Sequence, residues 1–471
     1  MKQKCTTWAT LAASIFVGGA IATNTQGQTS DALLDTLIKK GVLTEKEAKD
    51  IKTEASKEPQ RDFNQAFSAK TGMASWITGY KLYGDFRGRF EENYAENPLY
   101  NARERYRFRL RVGLNISMMD NIDVGLRLSS GNPQTRASNG ALVGGQSITA
   151  NQDANNLGSR KFIWIDAAYG KWTPIKNNDW TVSATIGKMD NPFQLSNMLW
   201  DYDIDPEGAA LQASYNLNDQ HTLKGIGGIF VLDEFNQHSG ASPALATIHA
   251  SHDPYLYGGQ LLWEAKWTPK IDTAVGVAGF NIAHRDSLSA LVQPFYNAGN
   301  TRTGLGFLTY NMNPVIGTAS ATYKLASFPG YTGQFPIKVG AEYMRNPAAP
   351  SDRNTAYRAG LTLGKAGRRN TWEINYRYQR LEADAWFDAL ADDDNGAFYG
   401  PGNPQLASFA GPNATGWFGG TNVKGHQVVA TYSFTDSLNF TFIYYLNEAI
   451  INAPGQSSRA GHFMADLNFK F

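Results

Sequence analysis

Arg103, Arg105, Arg107, Arg109 and Arg111 alternate with Tyr106, Phe108, Leu110, Val112 and Leu114. An extended strand turns successive side chains to opposite faces, so the guanidinium groups share one face and the apolar groups the other. Such a ladder repels itself: neighbours about 7 Å apart cost on the order of 0.6 kcal/mol per pair in water, and more where water is confined. It therefore calls for carboxylates. Asp85 and Glu91 on the preceding strand, and Asp123 on the following one, have the matching parity. Lys81, Arg87 and Arg89 share the face of Asp85 and Glu91, so the patch stays net positive. Two uses of this chemistry are open: a salt-bridge network that satisfies a polar wall, or a strip that draws anions along it.

A second charged set lies in Trp200-Asp-Tyr-Asp-Ile-Asp-Pro-Glu-Gly208, where Asp201, Asp203, Asp205 and Glu207 alternate. Oxygen-rich loops suit Ca²⁺, but the glycine and downstream glutamate of a calcium loop are missing. An ordinary solvated loop is the plainer alternative. Other groups offer less. His249, His252 and Asp253 have no third ligand at an obvious spacing. Asp392, Asp393 and Asp394 read as a solvated loop tip. Gly225-Ile-Gly-Gly228 lies within a strand with no helix after it, so it cradles no nucleotide. No cofactor or metal is expected, and the seven histidines form no Ser/His/acid grouping, so no catalytic residues are expected.

The elements that carry these residues are strands. Period-two patterns run over about 16 segments: 75–91, 103–119, 122–130, 160–172, 180–189, 208–217, 221–233, 254–267, 272–283, 317–326, 335–345, 355–363, 370–381, 423–434, 438–448 and 461–471. The count leaves 16 against 18 open. Their connections alternate short and long, the long ones covering 92–102, 131–159, 190–207, 234–253, 284–316, 346–354, 382–422 and 449–460. A soluble sandwich has no reason to gather every long loop at one end, whereas a membrane barrel does. Facing lipid at mid-depth, each arginine of the ladder would cost about 2–4 kcal/mol, so the guanidinium face must turn inward. Trp76, Trp172, Trp180, Trp267, Trp372, Phe434 and Phe471 sit next to short turns or the chain end, the depth that amphipathic rings favour. Lys-Trp-Thr-Pro recurs at 171–174 and 266–269 in that setting. The last strand sets Phe463, Ala465, Leu467, Phe469 and Phe471 against His462, Met464, Asp466, Asn468 and Lys470. It is expected to close the barrel against the first strand near Lys81.

Ahead of the strands, residues 1–22 read as a signal peptide: Lys2 and Lys4, an apolar run, then Ala20-Ile-Ala22. That run is too short for a spanning helix, and no later one approaches the roughly 20 residues needed. The one cysteine, Cys5, falls in this segment, which removes disulfides and Cys-ligated metals from the processed chain. Residues 23–58 are expected to hold a short periplasmic helical segment, with Leu33, Leu34, Leu37 and Ile38 at helical spacing and a capping box at Thr44–Glu47. It would serve as a tether, an oligomerisation element or a cell-wall contact. Residues 59–74 follow as a linker and 75–471 as the barrel. A net charge of +1 gives nucleic-acid binding no support.

The loop alternation, the Phe-terminated final strand and Gly187-Lys-Met-Asp-Asn-Pro-Phe193 together resemble Gram-negative porins, and more narrowly the "putative porin" and phosphate-selective-type families. A Pro-Glu-Phe-Gly-Gly loop motif of many general porins is absent. The resemblance implies an all-β transmembrane antiparallel barrel in the bacterial outer membrane. It implies a third long loop folded inward to face the basic wall, insertion by barrel-assembly machinery, and a homotrimer. The expected function is a passive diffusion channel for small hydrophilic solutes with an anion preference, not an enzyme. An outer-membrane adhesin or tether is the alternative, and a barrel enzyme a more distant one.

Overall fold

The protein is described by a computed structural model covering residues 74–97, 102–132, 134–136, 142–144, 149–234, 252–288, 298–303, 306–399, 416–452, 455 and 457–471. The expected signal peptide, helical segment and nearly all of the linker lie outside these residues.

Sixteen strands form one closed antiparallel barrel. They are β1 (Ile77–Ala95), β2 (Arg103–Met118), β3 (Ile122–Gly131), β4 (Phe162–Lys176), β5 (Trp180–Lys188), β6 (Glu207–Asn216), β7 (His221–Val231) and β8 (Tyr255–Thr268). Then follow β9 (Ile271–Ala283), β10 (Val315–Leu325), β11 (Phe335–Arg345), β12 (Thr355–Gly364), β13 (Thr371–Leu381), β14 (Val423–Ser433), β15 (Leu438–Ala449) and β16 (Ala460–Lys470). Each pairs with its neighbours in the chain, and β16 returns to pair with β1. These are the segments that the period-two pattern marks, with ends shifted by a few residues. Among the described residues no helix is long and apolar enough to cross a membrane. Strands are the elements that can cross, because closure pairs every backbone donor and acceptor in the wall.

The period-two pattern becomes two faces. Leu110, Leu126, Ile186, Leu211, Leu261, Val277, Val339 and Leu467 project outward and stay exposed, while Arg107, Gln260, Glu342, Asn375, Gln427 and Asp466 project inward and are buried. An apolar outside around a polar inside is stable only with hydrocarbon outside. Trp76, Trp172, Trp180, Trp267, Phe434 and Phe471 are all exposed beside short turns or the chain end.

The closing register differs from expectation. Lys470 lies opposite Asp85 rather than near Lys81, and Asp466 lies opposite Arg89. The chain end explains this: Gly84 N–H donates to Phe471 O at 2.9 Å and Phe471 N–H to Gly84 O at 3.1 Å, so β1 extends below the last residue of β16.

The long connections after β5 and β13 do not stand out from the rim; they fold into the barrel. Met198, Leu199 and Trp200 from the first, and Trp386, Phe387 and Leu390 from the second, pack with Phe230, Leu256, Phe280, Ile316 and Met344 of the wall in one buried cluster. The chain leaves and re-enters the wall at Gly187 and Gly208, which are paired across β5 and β6. Gly187 has φ 117°, and a Cβ there would stand 2.3 Å from Ala168 O, so no other residue fits without strain.

The two faces make a direct prediction. Leu261→Arg, at mid-strand on the outer face, should cost about 2–4 kcal/mol in refolding into lipid vesicles, and Thr318→Arg on the inner face much less. Equal costs would refute this orientation.

Candidate functional site

The inner face of β1, β2 and β16 carries the densest charge. Asp85 accepts from Arg109 Nη2 and Arg111 Nε, each at 2.8 Å. Glu91 accepts from Arg105 and, at 3.0 Å, from Arg107 Nη1. Arg107 also stands 3.0 Å from Asp153, because residues 152–153 of the second long connection pair with β2. Arg89 donates from Nε and Nη2 to Asp466 at 2.7 and 2.9 Å, a buried bidentate pair across the closing seam. Arg87 lies 3.7 Å from the same carboxylate and donates to Asn151. Arg103 is exposed near the long-loop end, and Lys81 is exposed near the short-turn end. Asp85 and Glu91 thus hold four of the five ladder arginines, as their parity implied. Asp123 instead accepts from Ser117 Oγ at 2.6 Å. Asp466 and Asp153 complete the wall: one needed the closing register, the other the inward turn of a long connection. Seven arginines of β1 and β2 stand among four wall carboxylates (Asp85, Glu91, Asp153 and Asp466); Asp394 and Asp203 of the inward loops also face them, which leaves an excess of one positive charge.

The four acids of the third long loop separate. Asp203 is half-buried and faces Arg109, Arg87, Arg89 and Arg111; burial opposes its charge, but the arginines outweigh it and hold the carboxyl below its usual range. Asp205 pairs with Arg127 of β3 at 2.6 Å, alongside Asp190 at 2.7 Å and Asp166. Burial pushes Asp205 up to about 7 against the pull of Arg127, with Asp166 and Asp190 adding to the rise. Glu207 stays exposed and pairs with Lys188 at 3.2 Å. Asp201 turns away from the ladder and is buried beside Asp392 and Asp393 of the seventh long loop.

That seventh loop was not legible as part of a site. Asp392–Asp394 read as a solvated tip, yet residues 381–388 and 390–392 are buried inside the barrel. Trp386 and Phe387 among the acids were the only hint, since such rings rarely stay in solvent. Trp386 Nε1 donates to Leu199 O at 2.6 Å, which locks one loop onto the other. Asn197 donates to Asp392 and accepts from Arg358 at 2.7 Å and from Arg377 at 3.4 Å, tying the loops to β12 and β13. Buried Arg302 pairs with Asp388 at 2.8 Å, and Asp384 accepts from Thr301 N–H at 2.7 Å, fixing the fifth connection to the seventh. Asp394 stands 3.8 Å from Arg89, so the seventh loop also reaches the arginines of β1.

Asp201, Asp392 and Asp393 offer oxygens within 4.8 Å of one another, close enough to share one cation. Burial is the first cause that raises all three, and repulsion from neighbouring aspartates, Asp394 among them, adds to it: Asp392 is pushed up to about 7 and Asp393 to about 8. His252 stacks on His284 with ring centroids 4.8 Å apart; His249 lies outside the described residues.

A closed barrel with lipid-compatible walls and charged loops packed inside defines the class of membrane β-barrels. A family model described as "Putative porin" matches residues 90–292, which include β2 to β9 entire, and the resemblance to porins holds over that stretch. Among solved structures the chain is similar to OprB of Pseudomonas putida, at 11% identity and TM-score 0.49, covering 83% of this chain and 94% of that one. It is also similar to OmpF of Salmonella typhi, solved with daunomycin, at 10% identity and TM-score 0.44, covering 83% and 97%. A mutant Rh. blastica porin matches at 12% identity and TM-score 0.39, covering 83% and 100%. No curated protein matches the sequence.

Two predictions follow from the site's electrostatics. Asp466→Ala leaves Arg89 buried without its bidentate partner and should lower unfolding stability by about 3–5 kcal/mol in urea titrations. The raised carboxyls of Asp392 and Asp393 keep protons in the folded state that the unfolded chain has already released. Their contribution to stability is therefore full below about 4 and is lost as pH rises through about 7 to 8. Thermal unfolding should accordingly show a smaller gap between pH 5 and pH 8.5 for Asp393→Asn than for the unaltered protein.

Proposed function

We propose that this chain is an outer-membrane porin, a passive diffusion channel for small hydrophilic solutes that favours anions. The observation that carries this reading is the arginine wall, which keeps a net positive charge and faces Asp203 and Asp394 in a lumen narrowed by two inward loops. A barrel of this strand number leaves an aqueous interior rather than one filled by side chains. Opposed charges across a narrow, low-dielectric passage make a transverse field, which orders dipolar solutes and disfavours greasy ones. Because Asp85, Glu91, Asp153 and Asp466 neutralise only part of the wall, anions meet the lower barrier. Nothing in this arrangement calls for catalysis.

Membrane lipid contacts the outer face in this reading, barrel-assembly machinery inserts the chain, and the porin resemblance favours a homotrimer. In planar bilayers under a salt gradient, the reversal potential should report anion preference. Arg107→Glu combined with Arg109→Glu should move it towards cations; unchanged selectivity in the double variant would sink the anion claim. Liposomes carrying the protein should swell in small sugars. An adhesin or tether with a sealed barrel would give no swelling.

A further inference from the structure

The lumen also holds a cavity of about 550 Å³ whose lining includes Asp85 as its one acid. One side is cationic. Arg109 and Arg111 project into it from β2 and Lys470 from β16, with Asp85 between them. Asp85 accepts from Nε and Nη2 of Arg109 and from Nε of Arg111. It thereby orients both guanidinium planes, and among the described residues Arg109 Nη1 and the two terminal nitrogens of Arg111 keep no partner. Lys470 has no acidic partner among the described residues either. Arg127 also borders the cavity, but three carboxylates of its own surround it, so that corner is net negative and a solute's carboxylate is directed to the Arg109, Arg111 and Lys470 side.

The other side is neutral and rich in hydrogen-bonding groups. Thr431 and Thr441 hydroxyls meet at 3.1 Å across β14 and β15. Asn468 Nδ2 donates to Asn439 Oδ1 at 3.0 Å across β15 and β16. These bonds fix the two amides while leaving Asn439 Nδ2 and Asn468 Oδ1 to present a donor and an acceptor to the cavity. A cationic wall with free guanidinium donors, facing an ordered amide and hydroxyl wall, is complementary to one kind of solute. That solute carries a carboxylate at one end and several hydroxyls at the other.

We infer that this cavity is a resting site for sugar acids, with the carboxylate on Arg109, Arg111 and Lys470 and the hydroxyls on Thr431, Asn439, Thr441 and Asn468. The inference rests on the porin reading and names the solute class for which the lower lumen is built. A small inorganic anion would occupy only part of the volume and leave the amide wall to water. A neutral sugar would leave the cations unmatched. Planar carboxylates suit guanidinium donors in particular, because two N–H groups can address two oxygens at once. The cavity volume also lies in the range that encloses a single small ligand.

The test uses the full-length protein in planar bilayers, with D-galacturonate, D-galactose and acetate each added to the solution on the short-turn side. Galacturonate should interrupt the current at a half-blocking concentration about tenfold lower than either single-feature probe, since each matched wall adds its own charge-assisted or neutral hydrogen bonds. Arg111→Gln should raise that concentration about tenfold, and so should Asn439→Ala combined with Thr441→Val. The three-probe comparison on the unaltered protein stands whether or not the variants fold. Equal potency of acetate and galacturonate would overturn the sugar-acid site, as would an anion-selective current that galacturonate leaves untouched; the porin reading would survive both. A sealed or cation-selective barrel would instead defeat the reading, and the inference with it.

Discussion

Hydrocarbon offers no hydrogen bonds, so every backbone amide in a membrane-spanning strand must find its partner within the protein. For sixteen strands the remaining pair is the seam between β1 and β16, and closing it determines much else. Closure makes each strand's two faces an outside and an inside. It also sets which inward residues meet: Asp466 arrives opposite Arg89, and Lys470 opposite Asp85. An isolated arginine buried in such a wall would be untenable, whereas a bidentate pair at 2.7 and 2.9 Å answers both its charge and its donors. The seam is therefore held by backbone pairing and by the same charges that dominate the interior.

Above that wall the lumen is shaped by apolar packing rather than by charge. Phe280 packs edge to face with Phe193 and with Trp386, at centroid distances of 4.9 and 5.3 Å, and Trp200 does the same with Phe230 at 6.2 Å. Burying such rings removes large areas from water, enough to hold two long connections inside the barrel. The acids are carried along with them. Asp203 and Asp394 come to face arginines, while Asp201, Asp392 and Asp393 are forced together, and burial with repulsion raises their carboxyls. One loop sequence thus supplies both a charged face and a neutralised interior, depending on where packing sets each residue.

The polar interior is also graded along its length. Near the long-loop end the charges are opposed across a narrow gap; towards the short-turn end the acids thin out and hydroxyls and amides take over. The difference arises because the inward loops that carry the additional acids enter from the long-loop end, where the aromatic cluster anchors them.

Much of this was present in the chain itself. Strand positions, the alternation of short turns with long loops, and the inward face of the arginines all follow from period-two patterning and the cost of charge in lipid, which are local properties. The pairing of Asp85 and Glu91 with the ladder was readable because adjacent strands share parity. What needed the folded barrel were contacts between residues far apart in sequence. The closing register placed Asp466 on Arg89, the inward turn of the second connection placed Asp153 on Arg107, and the seventh loop brought Asp392 and Asp393 against Asp201. Loops have no repeating pattern to reveal which side of a wall they will occupy. That choice is made by cavity shape and aromatic packing, which exist only once the strands have closed.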